Sequence, residues 1–273
     1  ANTFDTNNVT IGRGGSKIGG NCIDATLDTE GDSIKLVYVD ATRGWLNVQT
    51  DDTIQGSNFV GATGGTITES GDYKIHTFTG TGTFAVTNIG TPTAGKQISY
   101  MVIAGGGGGA SEKTSTASRG GGGAGGFREA KQACAGYTAS PLAVAGGQTV
   151  AVQSYPVTIG AGGAGGPGPS GPVNGSTGSN SVFNGITSAG GGYGSGVGSS
   201  PNKGGDGGSG GGATQDNNGG PSNGVGIGNT PSVSPPQGNN GGQSDRTGPT
   251  YLAGAGGGAG GAGGDAPPGN GGN

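Results

Sequence analysis

Glycine recurs in this chain in seven separate runs, and within them it keeps a period of three. The runs cover 105–109, 120–126, 160–166, 190–196, 204–212, 219–228 and 254–264. Gly160, Gly163 and Gly166 form one row, Gly162 and Gly165 a second, and Ala161 and Ala164 a third. Gly204-Gly205-Asp206-Gly207-Gly208-Ser209-Gly210-Gly211 and Gly257-Gly258-Ala259-Gly260-Gly261-Ala262-Gly263-Gly264 repeat the Gly-Gly-X pattern. Neither the α-helix nor the β-strand has that period. Polyproline II does, with three residues per turn, a rise of about 3.1 Å and no internal hydrogen bonds. Gly-Gly-X leaves bare backbone along two edges of such a helix and a small side chain along the third. Neighbouring helices then approach closely enough for their N–H and C=O groups to pair between helices, which answers where the backbone bonds of an ordered segment go. Run 204–212 would span about 28 Å at that rise.

Two other readings of such composition compete. Gly and Pro number 73 and 14 in 273 residues, a proportion met in collagen and in low-complexity disorder. Collagen requires a sustained single-glycine G-X-Y period and more proline. A flexible Gly/Ser linker does not account for runs of similar length punctuated by aromatic and hairpin-forming segments. The expectation is a packed bundle.

The glycine is unevenly distributed. Residues 1–95 hold 16 Gly and 15 of the 28 charged residues, whereas 96–273 hold the other 57 Gly and 13 charges. This predicts a small β module over 1–55, a second antiparallel unit over 56–95 and a glycine-rich bundle over 96–273. In the first, Ser33-Ile34-Lys35-Leu36-Val37-Tyr38-Val39, the turn residues Asp40 to Gly44, and Trp45-Leu46-Asn47-Val48 read as a hairpin over 34–48. Trp45, the only tryptophan, is expected as a core or subunit-interface anchor. In the second, Thr66-Ile67-Thr68, Tyr73 to Thr79 and Thr83 to Val86 alternate as strands. Ile98 to Ile103 is a further strand leading into the first glycine run. Thr149 to Val152 and Tyr155 to Ile159 are short strands, and Asn184-Gly185 between apolar residues signals a hairpin. The fold class expected is mostly irregular and all-β, with small antiparallel modules before a bundle of packed polyproline-II helices whose loops carry short hairpins.

The order Tyr100-Met101-Val102-Ile103-Ala104 into Gly105–Gly109, then Gly120–Gly126 with Phe127, then Tyr155-Pro156-Val157-Thr158-Ile159-Gly160, then Phe183 and the run from Gly190, resembles the glycine-rich domain of bacteriophage tail-fibre and virion structural proteins. The resemblance covers about 96–273. Within that group, tip adhesins of T-even-like fibres stack polyproline-II layers whose variable loops contact the host. Ile11 to Ile18, Ser33 to Val39 and Gly44-Trp45 resemble small β modules of cyanophage fibres, which implies a homotrimer and other fibre proteins of the virion as partners. Tip adhesins usually begin with a different fibre-docking domain, so position at the tip or along the shaft stays open.

The charge pattern excludes some functions. A net charge of −4 with 10% charged residues lacks the clustered Lys/Arg of a nucleic-acid footprint. No stretch has the length of a membrane-spanning helix. No signal peptide is expected in the first residues, and Met removal or larger processing are the two expectations for a start at Ala1. Cys22 and Cys134 read as two free thiols, with a disulfide as the alternative. Catalysis is not expected. The single histidine, His76, sits in an alternating strand, no Cys/His cluster has metal spacing, and no carboxylate pair is nominated for glycoside hydrolysis. Asp51-Asp52 and Asp28/Glu30/Asp32 read as solvated turns. No cofactor or metal is expected.

Binding is therefore expected on loops carried by a rigid scaffold. The candidates are Arg119, Phe127, Arg128, Tyr137, Tyr193, Asp245, Arg246 and Tyr251, because Tyr and Arg anchor interfaces at low entropic cost. Segment 243–253 is the best single loop. The expected function is a receptor-binding fibre protein recognising a host surface glycan or outer-membrane protein. A purely structural fibre subunit is the alternative. An ice-binding protein is a third class, disfavoured by irregular loops and testable by thermal hysteresis.

Overall fold

The computed structural model of this chain describes residues 9–19, 24–27, 34–41, 43–48, 60–71, 73–89, 97–111, 119–132, 135–168, 173–197, 203–214, 224–245 and 252–266. Among them there are sixteen strands and no helix, so the chain is an all-β and irregular protein with small sheets. Cys22, Cys134, Asp28, Glu30, Asp32, Asp51 and Asp52 lie outside the described residues.

The N-terminal strands form two-stranded sheets. β1 (Val9–Ile11) pairs with β2 (Ala25–Leu27), and β3 (Leu36–Asp40) pairs with β4 (Gly44–Asn47), as the alternation over 34–48 predicts. A register shift between Tyr38 and Asp40 brings the chain into its turn, where Gly44 has φ +72°. Trp45 is not part of the described core. It is 38% exposed, with its ring edge-on to Tyr38 at 5.4 Å, because a two-stranded sheet has no second layer to cover it.

β5 (Gly61–Thr63), β6 (Thr66–Ser70), β7 (Tyr73–Thr77) and β8 (Gly82–Asn88) follow. β6 and β7 make a hairpin, but β8 does not extend it. β8 pairs instead with β5 and with β14 (Ser154–Thr158), which in turn pairs with β15 (Ser181–Phe183) and β16 (Ile186–Ser188) in a five-stranded antiparallel sheet. Strands from 56–95 and from 96–273 thus share one sheet. β9 (Gln97–Ile98) pairs with β13 (Gln148–Thr149), and β10 (Tyr100–Ile103), β11 (Phe127–Lys131) and β12 (Ala143–Ala145) form a three-stranded sheet. The Asn184-Gly185 turn joins β15 to β16 with φ +45° and +77°, the left-handed pair that such a two-residue turn requires.

Alternation in β8 and β14 places Phe84, Val86, Tyr155 and Val157 on one buried face, joined by Val102, Val150 and Phe183. Tyr155 lies directly opposite Phe84, and Phe183 opposite Val157. The Phe84 and Phe183 rings meet edge to face at 5.9 Å. Each such side chain contributes about 2 kcal/mol through burial. This is the apolar core among the described residues, and it caps the point where β10 runs into the glycine runs. There Ser188 Oγ donates to the Val102 carbonyl at 2.7 Å.

Beyond that cap the chain is held by backbone. In segment 104–111, the N–H groups of Ala104, Gly107 and Ala110 donate to Gly126, Gly123 and Gly120. Those of Gly105, Gly108 and Ser111 donate to Ser179, Ser176 and Val173. The carbonyls of Gly106 and Gly109 accept from Gly163 and Gly166, and those of Gly105 and Gly108 from Gly191 and Gly194. Every neighbour is engaged at each third residue, so the period read in the sequence reappears as the period of bonding. The four neighbouring segments run in both senses, two antiparallel and two parallel to 104–111. The close approach leaves no room for side chains: a Cβ on Gly108 would lie 2.0 Å from the Ala164 carbonyl oxygen. Small residues in and beside these segments, such as Ser195, Ser209 and Ala213, are fully buried.

Side chains fix what backbone repetition leaves undetermined. Asn180, Asn174 and Asn240 accept from the N–H groups of Gly190, Gly196 and Gly228 at 2.9 Å each. Gln237, 1% exposed, accepts from Ala189 N–H at 2.8 Å and donates to the Pro231 carbonyl at 2.8 Å.

Candidate functional site

The β11 strand and the loop after it carry three of the six described candidates. Alternation along β11 puts Phe127, Glu129 and Lys131 on one face and Arg128 and Ala130 on the other. Arg128 stands opposite Val102 and is half-buried. Burial raises the phenol of nearby Tyr100 above its ordinary value, and the Arg128 charge partly offsets this. Phe127 is half-buried, and its N–H donates to the Gln237 carbonyl at 2.8 Å.

The loop between β11 and β12 folds back onto β11. Glu129, 7% exposed, accepts the Ser140 N–H at 3.1 Å through Oε2, and Ala135 N–H closes a turn on Gln132 at 3.1 Å. A second anchor comes from β7, where the Tyr73 hydroxyl accepts the Gly136 N–H. Tyr137 is thereby set edge to face with Tyr73, ring centroids 6.4 Å apart and planes at 80°. Lys131 places its ammonium 5.2 Å from the Tyr137 ring centroid. Tyr73 and Tyr137 stay 40% and 38% exposed. The result is a rigid corner of two aromatic rings with one cation, presented to solvent. Tyr73 and Lys131 were not singled out in the sequence, since Tyr73 looks like one residue of an alternating strand and its partner Gly136 is 63 positions away.

The other candidates are dispersed. Arg119 is exposed at the entry to segment 120–126. Tyr193 is half-buried within the bundle, where a Cβ on Gly205 would meet its ring at 2.5 Å. Asp245 is 6% exposed, and its N–H donates to the Leu252 carbonyl at 3.0 Å, closing the base of the segment that carries Arg246 and Tyr251. Arg246 and Tyr251 themselves lie outside the described residues.

His76 binds the Gly64 carbonyl through Nδ1 at 2.8 Å and packs edge to face on Phe84 at 5.1 Å. Among the described residues no three His, Cys, Asp or Glu side chains come together as a metal site, and no helix is long and apolar enough to cross a membrane. An open concavity of about 400 Å³ lies over Trp45, walled by Ile11, Arg13, Ile18 and Leu36.

No curated protein and no solved structure matches the chain. The family model of the glycine-rich domain matches residues 78–273, from just before β8 onward, and the chain belongs to that glycine-rich domain family.

Proposed function

We propose that this chain is a non-enzymatic fibre protein of a bacteriophage virion that attaches to a host-cell surface through loops on a scaffold of polyproline-II helices. The observation that carries the reading is the bonding of the scaffold. The glycine segments hold one another through backbone groups at every third residue, which makes a scaffold able to carry loops. The Asp245–Leu252 bond fits the same scheme, since it fixes the two ends of the segment that bears Arg246 and Tyr251. Aromatic and Arg side chains on loops are the groups that surface recognition uses.

The test is binding of the full chain to a panel of candidate host cells, beside the variant Arg246→Ala/Tyr251→Ala. The full chain is needed because residues 96–273 alone lack β8 and with it Phe84 and Val86 of the core. Binding by the parent that the variant loses, with an unchanged circular dichroism spectrum, is the expected result. No binding by either chain to any host would sink the reading.

A structural role in fibre assembly has its own observation. Val37, Tyr38 and Val39 on β3 are 44%, 47% and 52% exposed, an apolar run that suits contact with another fibre subunit. A homotrimer or a contact with a different fibre protein would both cover it. Sedimentation of the parent and of Val37→Lys/Val39→Lys tests the homotrimer, which predicts a trimeric parent and a monomeric variant.

A further inference from the structure

We propose that the corner formed by Tyr73, Tyr137 and Lys131 binds a glycan bearing a carboxylate, which deepens the adhesin reading and rests on it for its biological sense. The ring planes at 80° and centroids 6.4 Å apart form two walls, both open to solvent. A pyranose ring has an apolar C–H face and a polar rim, and it stacks its face on one wall while its rim meets the other. The Tyr73 hydroxyl is tied to the Gly136 N–H, and the loop that carries Tyr137 is tied to β11 through Glu129 and Ser140. Little side-chain entropy is therefore lost on binding.

The charge follows from Lys131. Its ammonium is held 5.2 Å from the Tyr137 centroid and has no ion pair among the described residues. Lys74, on β7, is by contrast 3.8 Å from its cross-strand partner Glu69. Glu129 shares the β11 face with Lys131, but it is buried and its carboxylate accepts the Ser140 N–H. The ammonium lies over the Tyr137 ring, where a carboxylate on a sugar held in the corner meets it. One cation beside two aromatics selects a carboxylated sugar. Nucleic acid requires an array of phosphate-binding cations, and the overall charge of −4 supplies no long-range attraction for a polyanion.

The experiment is isothermal titration of the full chain with uronate and sialate oligosaccharides, each beside its carboxyl-reduced neutral counterpart. We expect the carboxylated forms to bind about tenfold more tightly than the reduced ones, the loss of one charge-assisted contact. Lys131→Gln should bring the carboxylated ligands down to the neutral level, and Tyr137→Ala should abolish binding of both. Tyr73→Phe, which keeps the ring but loses the Gly136 anchor, should bind both forms more weakly than the parent yet better than Tyr137→Ala. Equal affinity for charged and reduced forms, no binding of either, or an unaffected Lys131→Gln variant would overturn the assignment. The cell assay reads the Arg246 and Tyr251 segment, so the two ideas fail separately. Cells that bind with no oligosaccharide binding remove the glycan site alone, and oligosaccharide binding without any host removes the adhesin alone.

Discussion

The amide N–H of Ala189 donates to Oε1 of Gln237 at 2.8 Å across 48 residues of chain. The same side chain donates to the Pro231 carbonyl at 2.8 Å, while its own N–H is taken by Asn229 Oδ1 at 3.2 Å. One buried amide therefore ties segment 229–237 to the top of segment 190–196. Gln237→Leu leaves the buried Ala189 N–H unpaired and should cost about 2 kcal/mol in chemical denaturation. A loss below about 0.5 kcal/mol would mean that Gln237 is replaceable there.

Two glycines of like sequence context should respond oppositely to alanine. A Cβ on Gly108 would lie 2.0 Å from a carbonyl oxygen, whereas one on Gly261 would meet nothing within 4 Å. Gly108→Ala should destabilise by about 3 kcal/mol or more. Gly261→Ala should be neutral or stabilise by about 0.5 kcal/mol through the unfolded chain. Melting temperatures of the two variants check the contrast.

The Asn184-Gly185 turn predicts a smaller and local effect. Asn184 is held at φ +45°, and Asn184→Ala should lose about 1 kcal/mol because alanine resists the left-handed region. Asn184→Gly should be close to wild type. Urea denaturation of both variants distinguishes the backbone effect from any loss of the amide group.

Stability should fall at alkaline pH in part through Tyr100. Burial raises its folded-state pKa above the ordinary 10.0, so between the two values the folded chain holds a proton that the unfolded chain releases. Stability from this group is intact below pH 10 and is lost as pH rises through the folded value. Tyr100→Phe should therefore show a shallower decline above pH 10 than the parent. An identical slope in both would remove Tyr100 as a contributor.

Local features of this fold can be read directly from sequence. The period of three in Gly160–Gly166 reappears in the bonds of Gly163 and Gly166, and Asn184-Gly185 forms the turn that its neighbours demand. Alternation locates β3, β4, β6 and β7. What alternation does not contain is the choice of partner. Thr83 to Val86 follows β7 after a short turn, yet Phe84 lies opposite Tyr155 because both need the same apolar layer. The Tyr73–Tyr137 corner is hidden for the same reason: its residues come from a hairpin and a loop that only the folded chain brings together. Identical glycines also give no sign of which segment lies beside which, and Asn174, Asn180, Asn240 and Gln237 supply that information through single side-chain bonds.

The bonding of segment 104–111 to four others has a kinetic consequence. An α-helix can fray from its end because its bonds are local, but segment 104–111 cannot open without releasing amides in several distant stretches at once. Hydrogen exchange at Gly107 and Gly108 should therefore proceed through global unfolding, with protection equal to that of Val157 in the core. The least apolar part of the chain would then be as slow to exchange as its most apolar part, and the bundle would behave as one cooperative unit.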